Sequence, residues 1–219
     1  MVRTRVTFVC RACGAETPRW QGQCPQCEEW NTLERSEQVG ARAAPRAASN
    51  RAPLVLTDGA APGARIAAGS AELDRVLGGG IVPGSVVLLG GDPGIGKSTL
   101  LLQVAAAVAR GAPVLYATGE ESAAQVGARA SRLGLSAPGL EIAPESDLET
   151  ILDGARSARA ALLIIDSIQT VHSAQLAASA GGVAQLRECA ATIVRHAKSS
   201  GTAVFIIGHV TREGTIAGP

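Results

Sequence analysis

Two clusters of residues in this 219-residue chain have types and spacings suited to chemistry. The first is G-G-D-P-G-I-G-K-S-T, Gly90 to Thr99, in which Gly91 to Ser98 matches G-x-x-x-x-G-K-[ST]. Glycines allow a loop whose backbone N–H groups all face inward, and the helix that follows adds its positive end, so the pattern specifies a phosphate cradle. Gly91, Asp92, Pro93, Gly94, Ile95 and Gly96 would line the loop, Lys97 would bridge the β and γ phosphates, Ser98 would offer its hydroxyl to Mg²⁺, and Thr99 would sit near the α-phosphate. Of the 20 basic residues only Lys97 and Lys198 are lysines. One of the two stands where arginine would be too bulky to serve. ATP with Mg²⁺ is the expected ligand.

The second cluster is Cys10, Cys13, Cys24 and Cys27, arranged C-R-A-C-G and C-P-Q-C-E. Two residues between thiolates let one tight turn present both sulfurs to the same ion, and four thiolates make a closed tetrahedral Zn²⁺ site with no position left for water. Gly14 can take the left-handed backbone that turns amide N–H groups back toward the sulfurs. A segment of roughly 33 residues is too small for a self-sufficient core, which argues for a structural metal. Disulfides are the alternative, but the start of the chain has no apolar signal-peptide core. Trp20 and Trp30 are expected to pack over the site; exposed tryptophans would instead be a docking or base-stacking surface. Cys189, far from the others in a helical pattern, reads as a buried small residue.

The elements that hold the first cluster are legible as short apolar runs alternating with helical stretches. Val86 to Leu89, Val114 to Thr118, Leu162 to Asp166 and Ala203 to Gly208 predict strands, with Leu140 to Ala143 a weaker one. Helices are expected from about Ser98, over Ala123 to Leu133, and over Val183 to Lys198, with a short one at Ala71 to Leu77 capped by Ser70. Near-continuous apolar strands separated by helices predict a parallel α/β sheet. Asp166, at the end of its strand, fits the carboxylate that orients Mg²⁺ directly or through its water, or else it caps the following segment. A water-activating base would come from Glu120 or, alternatively, Glu121, just beyond the strand ending at Thr118. His209 follows the last strand, where a γ-phosphate would lie, or is an ordinary surface histidine.

Composition sets the frame around these sites. Hydrophobic residues are 46% and charged residues 18%, with net charge +1, which excludes a disordered or strongly acidic chain. No apolar run reaches a membrane span, so a cytoplasmic protein is expected. Residues 1–53 carry eight basic and five acidic side chains, net +3, a mild electrostatic attraction to nucleic acid. Residues 34–53 lack large apolar side chains and a consistent period, and read as a flexible linker between a zinc module at 1–33 and a nucleotide-binding core at 54–219.

Together these motifs resemble the RadA (Sms) family of bacterial DNA repair proteins. The likeness is carried by W-x-G-x-C-P-x-C-x-x-W-N-T (Trp20 to Thr32), E-L-D-R-V-L-G-G-G-I-V-P-G-S (Glu72 to Ser85), G-D-P-G-I-G-K-S-T (Gly91 to Thr99), G-E-E-S (Gly119 to Ser122), L-L-I-I-D-S-I-Q-T (Leu162 to Thr170) and G-H-V-T-x-E-G (Gly208 to Gly214). The resemblance implies a RecA-like P-loop NTPase core behind a four-cysteine zinc ribbon. It implies a hexameric, helicase-type ring that uses ATP for branch migration of recombination intermediates on single-stranded and branched DNA, beside a RecA-type recombinase. By the same resemblance Glu120 activates water and His209 senses the γ-phosphate. His172 to Gly182 corresponds to a loop facing the DNA channel, with Gln185 and Arg187 opening the helix behind it; the residues alone fit a surface connection equally. Family members continue into further ATPase core and a Lon-protease-like domain, so the chain reads as a fragment whose turnover alone is expected to be weak. A nucleotide-gated adaptor and a P-loop small-molecule kinase are the rival readings.

Overall fold

A computed structural model describes residues 5–12, 14–38, 63–174 and 182–209. Residue contacts divide the chain into two compact units, Met1–Gly63 and Ala64–Pro219.

The first unit is a small antiparallel sheet in the order β2-β1-β3, formed by β1 (Arg5–Cys10), β2 (Glu16–Thr17) and β3 (Leu33–Gln38). β3 runs along the whole of β1, from Cys10 opposite Leu33 to Arg5 opposite Gln38. The ribbon therefore extends past residue 33, into sequence expected to be linker. E-R-S-E-Q contains no apolar residue and so shows no apolar period, while its backbone ladder to β1 makes the strand. Residues 39–53, the rest of the expected linker, lie outside the described residues, as do residues 54–62 at the start of the expected core.

The second unit contains a five-stranded parallel sheet. Its elements are α1 (Ala71–Val76), β4 (Val86–Gly91), α2 (Lys97–Val108), β5 (Val114–Thr118), α3 (Ala123–Arg132), β6 (Leu140–Pro144), α4 (Leu148–Ser157), β7 (Leu162–Asp166), α5 (Val183–Ser200) and β8 (Ala203–His209). The strand order is β4-β8-β7-β5-β6, and every pairing is parallel. The predicted strands and helices are all present. α4 was not anticipated; Asp147 starts it by accepting from the Thr150 N–H at 2.8 Å.

Alternating residues of the strands feed two cores. Val114, Tyr116, Leu162, Ile164, Phe205 and Ile207 pack with Leu101, Leu102 and Ala105 of α2 on one face. Leu115, Leu163, Ile165, Val204 and Ile206 pack with Ile151 of α4 and Ile193 of α5 on the other. Burial on both faces accounts for the almost unbroken apolar runs of β5, β7 and β8. Cys189 belongs to the second core, fully buried, and burial followed by the nearby Glu149 and Glu188 pushes its thiol up to about 11, an inert group.

Candidate functional site

A parallel sheet brings all its carboxyl ends to one edge, which is where open α/β sheets bind ligands. The strand order makes this edge a meeting point of four distant segments. Gly91 ends β4, His209 stands opposite Gly91 at the end of β8, Asp166 ends β7, and Thr118 stands opposite Asp166 at the end of β5. His209 is placed here by its backbone.

The chain leaves β4 through Asp92 to Gly96 and enters α2, whose N-cap is Gly96 with φ of 99°. That left-handed geometry is open to glycine and strained for other residues, so Gly96 is what lets the helix start immediately behind the loop. The first N–H groups of α2 have no intrahelical acceptor and form the positive end of the helix. Lys97 is 7% exposed, and its ammonium donates to the Gly91 carbonyl at 2.7 Å and the Asp92 carbonyl at 2.8 Å, which holds it within the curve of the loop. Ser98 and Thr99 follow on the first turn of α2. These residues fit a nucleotide polyphosphate with Mg²⁺.

Asp166 lies on the α2 side of the sheet, because it shares strand parity with Leu162 and Ile164, which pack there. One oxygen of its carboxylate, Oδ2, accepts from the Tyr116 hydroxyl at 2.6 Å. Burial, and then the charge of Asp166, raise the tyrosine pKa far above its ordinary value, so the phenol stays a neutral donor.

The two candidate bases are put to different uses. The buried Ser167 hydroxyl donates to Glu120 Oε1 at 3.1 Å, anchoring that carboxylate next to Asp166 while it remains exposed on the site edge. Glu121 turns to α3 and forms an ion pair with Arg129, whose side chain is mostly buried. The Glu121 N–H also bonds to Thr118 Oγ1 at 3.1 Å, while the Gly119 N–H bonds to the Asp166 carbonyl.

Gln185 is 1% exposed, and its amide grips Ser173, accepting from the Ser173 N–H at 3.0 Å and donating to the Ser173 carbonyl at 3.2 Å. It thus closes the base of the segment expected to face DNA from behind, while Arg187 is exposed on the same helix. Residues 175–181 of that segment lie outside the described residues.

In the ribbon unit, Cys10, Cys24 and Cys27 bring their sulfurs within 4.8 Å of one another, with Cys10 and Cys27 3.6 Å apart. Tetrahedral Zn²⁺ with bonds of about 2.3 Å requires sulfurs about 3.8 Å apart, so the cluster fits that ion. The two cysteine turns repeat each other. Gly14 N–H bonds to the Cys10 carbonyl and Cys10 N–H to that of Ala15; Glu28 N–H bonds to the Cys24 carbonyl and Cys24 N–H to that of Glu29. The fifth residue of each turn is left-handed, Gly14 at φ of 73° and Glu28 at 59°. Cys13 lies outside the described residues. The buried Thr32 hydroxyl accepts from Cys10 Sγ at 3.2 Å and donates to the Glu29 carbonyl at 3.3 Å, tying the two cysteine turns together.

Trp20 and Trp30 do not cover the metal cluster as expected: they are 57% and 66% exposed. Phe8, Ala15 and Leu33 pack against the cysteines, so the sheet supplies the small core and the tryptophans stay on its turns.

Tyr116, Ser167 and Arg129 were not found by sequence reasoning. The available signal was compositional, since Tyr116 is the sole tyrosine in the chain.

Comparison with known proteins agrees with this geometry. An AAA domain family model matches residues 53–215, and a rubredoxin metal binding domain model matches residues 8–35. The DNA repair protein RadA of Pseudomonas aeruginosa is 48% identical over 100% of this chain and 49% of its own length. The RadA proteins of Bacillus subtilis and Escherichia coli are 44% and 46% identical, over 100% and 97% of this chain and 50% and 48% of their own lengths. The chain thus spans about half the length of the curated relatives it matches. A KaiC-like protein from Pyrococcus horikoshii shares the fold, with a TM-score of 0.58 and 21% identity over 67% of this chain and 72% of that one. The cofactors these families imply are ATP with Mg²⁺ and Zn²⁺, and the residues in place fit them. With a phosphate loop and an acidic strand end on one sheet edge, and a metal-binding ribbon ahead of them, the chain belongs to the AAA domain family, and its resemblance to the RadA proteins holds along its whole length.

Proposed function

We propose that this chain is the zinc- and nucleotide-binding part of a DNA-dependent, helicase-type ATPase that processes recombination intermediates by branch migration. The observation that carries the reading is the convergence of Gly91, His209, Asp166 and Thr118 on four adjacent strand ends, with the Glu120 carboxylate anchored by Ser167 beside Asp166. The names of the relatives, DNA repair protein RadA, supply the DNA context.

In this reading Lys97 and the backbone N–H groups of the loop and the first turn of α2, Pro93 having none, bind and orient the phosphates. Ser98 and Asp166 hold Mg²⁺, which when bound neutralises charge developing on the transferred phosphoryl group. Glu120 takes the proton of the attacking water, and Glu121 is a structural charge. His209 reports the γ-phosphate. The loop entered at His172 faces DNA, Gln185 supports it, and Arg187 contributes charge. Assembly is a hexameric ring working beside a RecA-type recombinase in the cytoplasm.

ATP turnover measured with and without single-stranded DNA tests the reading. Weak turnover is expected of the 219-residue chain alone, and several-fold stimulation by DNA of the longer protein it reads as a fragment of. Nucleotide binding with turnover indifferent to DNA would remove the motor and leave the nucleotide-gated adaptor.

A further inference from the structure

Tyr116 stands in the middle of β5 with no exposed surface, between Leu115 and Ala117. Phenylalanine would fill the same volume without a hydroxyl to satisfy. A buried hydroxyl left without a partner costs about 1–3 kcal/mol, so the acceptor it finds is informative. Register provides that acceptor. Tyr116 pairs with Ile164 and Thr118 with Asp166, which puts Tyr116 and Asp166 on the same face, one diagonal step apart. A long aromatic side chain spans that diagonal, and the hydroxyl reaches Asp166 Oδ2 at 2.6 Å. The guanidinium of Arg129, paired with Glu121, also acts on the phenol.

We infer that Tyr116 is a positioning residue for the Mg²⁺ site: by holding one oxygen of the Asp166 carboxylate, it fixes the rotation at which the other oxygen is offered to the cation. The inference rests on the reading of Asp166 as the Mg²⁺-orienting carboxylate. Partners of this kind, behind a metal ligand, change metal affinity by roughly 10- to 100-fold when removed. The phenol is well suited to the task, since its ring is locked in the core and its hydroxyl has one carboxylate oxygen to serve.

Binding of a fluorescent ATP analogue, titrated with Mg²⁺, tests this in the 219-residue chain carrying Tyr116→Phe. The half-saturating Mg²⁺ concentration should rise about tenfold, while affinity for the analogue in excess EDTA stays within about twofold of the parent. A folded variant with the parent's Mg²⁺ requirement overturns the inference. Asp166→Asn, run in parallel, separates the two levels: a raised requirement in Asp166→Asn alone refutes only the role of Tyr116, and no change in either variant refutes the Asp166 reading as well. A second measurement keeps the hydroxyl in place. Because Tyr116 is the sole tyrosine, the chain labelled with 3-fluorotyrosine gives one ¹⁹F resonance. It should shift when Mg²⁺ is added to the nucleotide-loaded chain and not in Asp166→Asn; a resonance indifferent to Mg²⁺ overturns the inference.

Discussion

The hydroxyl of Ser167, a fully buried residue, donates to Glu120 Oε1 at 3.1 Å and ties the turn after β5 to the residue that follows Asp166. A carboxylate held in this way keeps its orientation without losing its exposure. Ser167→Ala should therefore lower kcat about tenfold, the cost of a hydrogen bond to a charged group, with ATP affinity nearly unchanged. Steady-state kinetics beside equilibrium nucleotide binding measures both; equal losses in the two would mean that Ser167 supports the loop rather than the base.

Glu121 offers the control for its neighbour. Its carboxylate is engaged with Arg129, so Glu121→Gln weakens an ion pair and touches no reacting group. The expected cost is about 1 kcal/mol of stability, with turnover within about threefold of the parent. Denaturant melts and an ATPase assay check this. A collapse of turnover in Glu121→Gln, with Glu120→Gln active, would reverse the assignment of the two residues.

The cysteine ribbon should bind one Zn²⁺ and depend on it for folding, as four-thiolate modules of this size do. Metal analysis should give one zinc per chain, and Cys24→Ser should lose it. On chelation, amide signals of β1 and β3 should collapse to unfolded positions while those of β5 and β7 persist, because each unit has its own core. Retention of the β1–β3 ladder after zinc removal would contradict the structural role.

Much of the site was legible because it is local in sequence. The phosphate loop, the two cysteine turns and Asp166 at the end of an apolar run each announce themselves within ten residues. What stayed hidden depends on register. Tyr116 meets Asp166, Glu120 meets Ser167 and Gln185 meets Ser173 only after β5 has paired with β7 and α5 has docked, and no spacing along the chain encodes those contacts. Trp20 and Trp30 were misjudged for another reason: in a small ribbon the metal cluster itself is core, and Phe8 and Leu33 suffice to line it. β3 escaped notice because after Leu33 its sequence, E-R-S-E-Q, has no apolar residue to give it a period.

His196 gives stability a pH dependence of known sign. It is 6% exposed on α5, and burial, then the charge of Arg156, lower its pKa from the usual 6.5. The unfolded chain therefore binds a proton that the folded one resists, so this contribution is complete above the unfolded pKa and is lost as pH falls through the folded one. Denaturant unfolding at pH 7.5 and 5.5 should show the parent losing stability and His196→Leu losing less. Equal losses would place the titration elsewhere.

The sharpest test of an ATP-hydrolysing site is the pair Lys97→Ala and Glu120→Gln, each measured for Mg²⁺-ATP binding and for turnover. Lys97→Ala should lose tight binding and turnover together. Glu120→Gln should bind ATP with the parent's affinity and hydrolyse it about 100-fold or more slowly, the range for losing a general base. Turnover at the parent's rate in Glu120→Gln, or unimpaired ATP binding in Lys97→Ala, would contradict it.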